Sequence, residues 1–188
     1  RSGIFAGSFT LEAAVSIIPA TSDADTASIL ADLVCKSLVS VDIGSSIARF
    51  RLLEITKAFA LAKLIDQSER GTLATRLASC VTEMLRKCAL GPHQVQTARD
   101  AVHELDNVRG ILSWAFSPNG DRRLGVALAA AAVPVWLENS LLTECVAWTT
   151  NAIDTLEPGV DAERDEMLLK AAFGLAVMYT EGMTGQRS

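Results

Sequence analysis

Apolar residues recur along most of this chain at intervals of three and four, the spacing of helices that bury one side. Phe5, Phe9, Leu11, Ala14, Val15 and Ile18 predict a first short helix, with Thr10 as N-cap and Pro19 as its stop. Asp23 or Asp25 caps a second helix, whose Ile29, Leu30, Leu33 and Val34 follow at helical spacing. At Lys36 the period changes to two. Val39, Val41 and Ile43 alternate with Leu38, Ser40 and Asp42, the pattern of a half-buried strand. Gly44-Ser45-Ser46 supplies a turn. Phe50 and Leu52 then alternate with Arg49 and Arg51 on the way back. A hairpin behind a helical pair is the outline of a winged helix. This register predicts Phe50 and Leu52 buried, with Arg49 and Arg51 exposed.

Helical spacing resumes and holds to the end. Leu53, Lys57 and Leu61 belong to a helix ending near Asp66, before a break over Ser68–Gly71. From Thr72 to about Ala89, Leu73, Leu77, Cys80, Val81, Met84, Leu85 and Cys88 form one stripe, which Gly91-Pro92 ends. Val95–Phe116 predicts another helix, with Val102, Leu105, Val108, Leu112 and Phe116 on one face. Ser117-Pro118-Asn119-Gly120 is a turn. Leu124–Leu137, Ser140–Leu156 and Asp161–Thr180 read as three more helices, the first holding Pro134 and the last two parted by Pro158-Gly159. The expected fold is mainly α: a winged helix over residues 1–66, then an antiparallel helical-repeat stack over 67–188.

Composition narrows the functional classes. The chain has 188 residues, 49% of them hydrophobic, enough for a sizeable core. Its formal net charge of −5 argues against a basic nucleic-acid-binding surface. Residues 1–65 hold six basic and six acidic residues, leaving 11 of the 17 basic and 16 of the 22 acidic residues to the helical part. Four cysteines form no C-x-x-C pair; Cys35 and Cys80 fall on apolar stripes, so buried free thiols and a reducing compartment are expected. The longest apolar run, Leu124–Leu137, is too short to span a bilayer and is interrupted by Pro134. With no signal peptide, the expected location is cytoplasmic. The chain opens without methionine and stops inside an apolar helical pattern, so it reads as a piece of a longer protein, truncated at its C-terminus.

Chemistry-bearing motifs are absent. There is no G-x-x-x-x-G-K-[ST] loop, no G-x-G-x-x-G and no G-x-S-x-G. His93 and His103 have no neighbours at metal-ligand spacing, so no metal site is expected. Asp161, Glu163, Asp165 and Glu166 crowd the start of the last helix, where negative charge favours the helix dipole. Trp114, Trp136 and Trp148 sit in three successive helices and read as core packing rather than a ligand cage. No catalytic residue is expected, and an unrelated helical enzyme would need a polar cleft that the sequence does not announce. A winged helix suggests DNA. The helix that would enter the major groove carries Asp25 and Asp32, and its one base, Lys36, stands at the far end. Phosphate repulsion opposes docking there. Arg49 and Arg51 could touch a backbone, form a solvated strand face, or pair with acids of a neighbouring domain.

Several segments resemble one family. FAGSFTLEAA near the start, LADLVCKSLVSVD, and RFRLLEITKAFALAKL look like the winged-helix part of bacterial signal-transduction ATPases of the STAND class, related to AfsR and the NB-ARC proteins. The matching runs are Phe5–Thr10, Leu33–Val39 and Arg49–Ala60. ELDNVRGILSWAF, Glu104–Phe116, is similar to the family segment that leads into tetratricopeptide-like (TPR-like) repeats. The resemblance covers about residues 3–150.

The resemblance implies a regulatory switch. An upstream P-loop ATPase domain, outside this chain, binds ATP or ADP; the winged helix packs against that domain, and the helical repeats receive a protein partner. This chain itself then needs no cofactor, performs no chemistry and meets no membrane. In NB-ARC relatives a Met-His-Asp motif at the hairpin's end meets the nucleotide. The matching positions here are Leu52, Leu53 and Glu54, and leucine cannot donate a hydrogen bond to phosphate. Arg49, Arg51 and Glu54 remain the candidates to face the nucleotide domain. The alternative reading is a DNA-binding winged-helix domain of a transcription factor.

Overall fold

The computed structural model describes residues 1–18, 23–44, 47–90, 97–98, 101–156 and 163–182. Among them the chain is mainly α-helical, with one small antiparallel hairpin. It divides into two compact units, Arg1–Cys80 with His103–Gly110, and Val81–Val102 with Ile111–Ser188.

The first unit opens with a 3-10 turn, Ser2–Ile4, and then α1, Leu11–Ile17. Thr10 caps α1, its hydroxyl accepting from the Ala13 amide at 3.2 Å. Pro19 lies outside the described residues. Helix α2 is Asp23–Cys35, so Asp23 and Asp25 both fall in its first turn. Only Thr26 and Leu30 of α2 are buried. Its buried face is thus narrower than the sequence stripe, and Cys35, at the helix end, is exposed rather than buried.

Strands β1, Val39–Asp42, and β2, Arg49–Leu52, pair in register Val39 with Leu52 and Val41 with Phe50. Gly44 closes the near side of the turn by donating to the Asp42 carboxylate at 2.8 Å; Ser45 and Ser46 lie outside the described residues. Burial follows only part of the expected alternation. Val39 and Leu52, at the base, are buried, while Val41 and Ile43 are exposed. A two-stranded ribbon rests on the core only where other elements lie under it. Phe9 extends the pairing by one residue: its amide donates to the Phe50 carbonyl at 2.9 Å, and the Phe50 amide donates back at 2.8 Å. The Phe5 and Phe9 rings stack at 4.3 Å, and Phe9 and Phe50 at 6.0 Å. Phe5 and Phe9, with Ile17, Leu30, Leu64, Leu73 and Leu77, form the core of this unit.

Helix α3, Glu54–Asp66, follows β2 directly, and α4, Arg70–Leu90, carries the expected stripe, with Leu73, Leu77, Val81 and Leu85 buried. Of the helix expected from Val95, Thr97 and Ala98 are helical. A 3-10 turn, Ala101–Glu104, leads into α5, Leu105–Ala115, and Val102 is exposed. Gly91-Pro92, His93 and Val95 lie outside the described residues.

In the second unit, Asp121 caps α6, Arg122–Glu138, accepting from the Arg123 and Leu124 amides. Ala130, Ala131, Ala132, Val133, Val135 and Trp136 are all buried, so α6 is apolar almost all round and continues through Pro134. It packs against both α7, Leu142–Asp154, and α8, Glu163–Gly182, which also pack on each other. Trp114 and Trp136 are buried in packing, and Trp148 stacks on Phe116 at 6.3 Å. Asp165 pairs with Arg86 at 2.8 Å and Glu166 with Lys170 at 2.5 Å, a structural use for the acids at this helix start. Pro158-Gly159 and Asp161 lie outside the described residues.

Three helices end in the same way. Ser37, Ser68 and Ser140 have φ of 56°, 57° and 57°. The next amide in each case reaches back a full turn: Leu38 to the Leu33 carbonyl, Glu69 to Leu64, Leu141 to Trp136, at 2.8–2.9 Å. This closure explains why α7 starts at Leu142 and not at Ser140. A serine in the left-handed region costs about 1–2 kcal/mol that glycine avoids, less the extra backbone entropy that glycine loses on folding. Ser140→Gly should therefore raise stability by about 0.5 kcal/mol in chemical denaturation, and a loss of stability would contradict this closure.

All four cysteines are free. Burial pushes the Cys145 thiol up to about 11. Alkylation of the native protein at pH 8 should modify Cys35 rapidly and leave Cys145 untouched until denaturant is added, as read by peptide mass.

Candidate functional site at the hairpin

The hairpin, the Ala6–Phe9 segment and the head of α5 come together in the first unit. Arg49 lies across this junction. Its Nε donates to the Ser8 hydroxyl at 2.9 Å, one terminal nitrogen donates to the Ser8 carbonyl at 3.2 Å, and that same nitrogen pairs with the Glu104 carboxylate. Both side chains of this ion pair are mostly covered, at 16% and 14% exposure. The expectation that Arg49 is exposed therefore fails, because an acid 55 positions downstream folds back onto it. Arg51, two residues on and so on the same side of the strand, is exposed as expected and pairs with Asp106 at 3.0 Å. Here both side chains are about half exposed, 54% and 48%. Phe50 is half-buried and Leu52 buried.

Asn107 locks the arrangement. It is 1% exposed. Its Oδ1 accepts from the Gly7 amide at 2.8 Å, and its Nδ2 donates to the Ser8 carbonyl at 2.8 Å and to Glu104 Oε2 at 2.9 Å. Two backbone groups that the short Ala6–Phe9 segment cannot pair within itself are thus satisfied by one side chain. Backbones approach closely here. A Cβ at Gly7 would lie 2.7 Å from Asp106 Cβ, and one at Gly110 would lie 2.6 Å from Ala6 Cβ. Only glycine fits either position without displacing the head of α5.

Glu54 stands apart from this junction. It is the first residue of α3, its side chain is 80% exposed, and its carboxylate lies 3.7 Å from Lys57 Nζ. The Lys57 ammonium donates to the Ala6 carbonyl at 2.6 Å. The α3 N-cap, Leu53, makes no side-chain capping bond. Glu54, Arg49 and Arg51 are therefore not one cluster. Ser8, Glu104, Asp106 and Asn107 escaped a reading for charged or ligating residues, although all four lie in segments with family resemblance. The available signal was the Asp-Asn pair at a helix start, where polar side chains commonly serve backbone amides. His103 is exposed, and its carbonyl accepts weakly from Arg49 at 3.5 Å; His93 lies outside the described residues. Among the described residues no group of three potential metal ligands is present, and no helix is long and apolar enough to cross a membrane.

The chain is 34% identical over 155 residues to proteins of two Mycobacterium tuberculosis strains and of Mycobacterium bovis, each named "Putative HTH-type transcriptional regulator". The match covers 80% of this chain and 17% of each relative, so the chain spans about a sixth of their length. No family model matches the chain. No solved structure matches it significantly.

Removing Asn107 leaves the buried Gly7 amide without its acceptor and leaves the Ser8 carbonyl with Arg49 as its donor. Asn107→Ala should cost about 2–4 kcal/mol in denaturant unfolding. Arg49→Ala, which strands a covered Glu104, should cost about 2–4 kcal/mol. Arg51→Ala, at a half-exposed pair, should cost less than about 1 kcal/mol. Equal losses at Arg49 and Arg51 would contradict the graded burial.

Proposed function

We propose that this chain is a non-catalytic regulatory segment of a larger cytoplasmic transcriptional regulator of the STAND class. Its winged-helix unit packs against a nucleotide-binding domain of the same polypeptide, and its helical unit, TPR-like in kind, receives a protein partner. ATP or ADP belongs to that other domain, and of the three residues proposed to face it Arg51 and Glu54 are exposed, while Arg49 is covered by Glu104. The supporting observation is an exposed apolar face among the described residues. On α3, Ile55, Ala58, Phe59, Ala62 and Ile65 share one side of the helix and all are exposed, Ile55 at 87% and Phe59 at 66%. Contiguous exposed apolar surface of this kind marks an interaction site. In the second unit, Met167, Leu175, Met178 and Tyr179 of α8 are exposed in the same way and suit a partner helix.

The relatives' shared name favours a second reading, a DNA-binding winged helix. The charges oppose it. Helix α2 carries Asp23, Asp25 and Asp32; Lys36 lies 4.0 Å from Asp32; and Arg49 and Arg51 are already paired with carboxylates. Calorimetry of this chain with ATP and ADP should give no binding heat, and submicromolar affinity would overturn the assignment. In the longer polypeptide, Ile55→Asp with Phe59→Asp should change basal ATP hydrolysis by about tenfold or more, reflecting loss of a well-buried contact. A tight gel shift of the wild-type chain on random duplex at low salt would favour the second reading instead.

A further inference from the structure

We propose that Arg49 and Arg51 form a phosphate-binding site that the head of α5 occupies with its own carboxylates, an autoinhibitory contact built into the first unit. The two guanidinium groups lie on one side of β2, two residues apart. Each meets one carboxylate, Glu104 or Asp106, and these acids are themselves two residues apart. Guanidinium recognises carboxylate and phosphate by the same planar, charge-assisted hydrogen bonds, so the two acids stand where two phosphate oxygens would. The lining is polar. The Ser8 hydroxyl already accepts from Arg49 Nε, and the Asn107 amide holds Glu104 from the other side.

Coverage differs along the site. The Arg49–Glu104 end is largely covered, while the Arg51–Asp106 end is open to solvent. An anion therefore enters from the Arg51 end, and full access follows when the head of α5 leaves β2. In the closed arrangement the hairpin offers no free pair of cations. This accounts for a winged helix that carries two arginines on its hairpin and yet presents a nearly neutral face. Nothing in this inference depends on a nucleotide-binding domain.

Chemical rescue tests it. Glu104→Ala with Asp106→Ala vacates both oxyanion positions and leaves the arginines in place. Thermal unfolding and calorimetry are run with pyrophosphate, with ADP and with a random DNA duplex, against sodium chloride at matched ionic strength. The double variant should bind at least one of these about tenfold more tightly than wild type, and its unfolding midpoint should rise with that anion and not with chloride. Adding Arg51→Gln should abolish most of the gain. A response to pyrophosphate or ADP identifies an isolated-phosphate site, and a response to the duplex alone identifies a backbone-phosphate site with a salt slope of about −2 on a log–log plot. If the double variant does not fold, Asp106→Ala alone, at the half-exposed pair, should show the same rescue in smaller measure. Equal responses of variant and wild type to every anion would overturn the proposal and leave the two ion pairs with a purely structural role.

Discussion

The first unit depends on how the backbone of Ala6–Phe9 is satisfied. That segment is too short to pair with itself. Phe9 borrows two hydrogen bonds from Phe50, the Gly7 amide donates to the Asn107 side chain, and the Ser8 carbonyl accepts from both Asn107 and Arg49. A buried amide side chain with three of its hydrogen-bonding positions filled is a strict geometric demand. It explains the glycines at positions 7 and 110, where any Cβ would push the two segments apart. It also brings Glu104 and Asp106 to the arginines of β2. The Arg51 pair is too exposed to organise the junction, whereas the Arg49 pair is covered and shares Glu104 with the amide.

Much of the fold was legible from periodicity. The α1 cap at Thr10, the hairpin register, the long stripe of α4 and the turn before α6 all depend on local rules. A helix buries whichever side is apolar, and a turn forms where the residues permit it. The failures are of one kind. Val41 and Ile43 alternate as a buried strand should, yet they are exposed, because alternation describes a strand and not what lies beneath it. Cys35 sits on an apolar stripe that α2 does not bury. Ahead of α5 the expected continuous helix includes a 3-10 turn, Ala101–Glu104, whose last residue is held by polar contacts across the fold.

The candidate site was half legible. Arg49 and Arg51 stand out in any reading of the hairpin, and pairing with acids was among their possible roles. That the acids would come from Glu104 and Asp106 was not visible, because nothing in local sequence links positions 55 residues apart. Charge counts bear on the same junction. A first segment with balanced charge has no surplus cations for DNA, and the junction shows two of its six basic residues paired with acids from outside that segment.

The hydrogen bond from Gly7 to Asn107 joins residues 100 positions apart. A growing chain emerges from the ribosome N-terminus first. Residues 1–80 therefore leave it with the Phe5–Phe9 stack and the hairpin able to form, while the Gly7 amide still lacks its acceptor. The first unit is completed only after the head of α5 has been made, which means after all of α4. Loop closure over such a span is costly in chain entropy and slow for its length. Synthesis that stalls before position 107 would leave an incomplete first unit for proteases and chaperones to find.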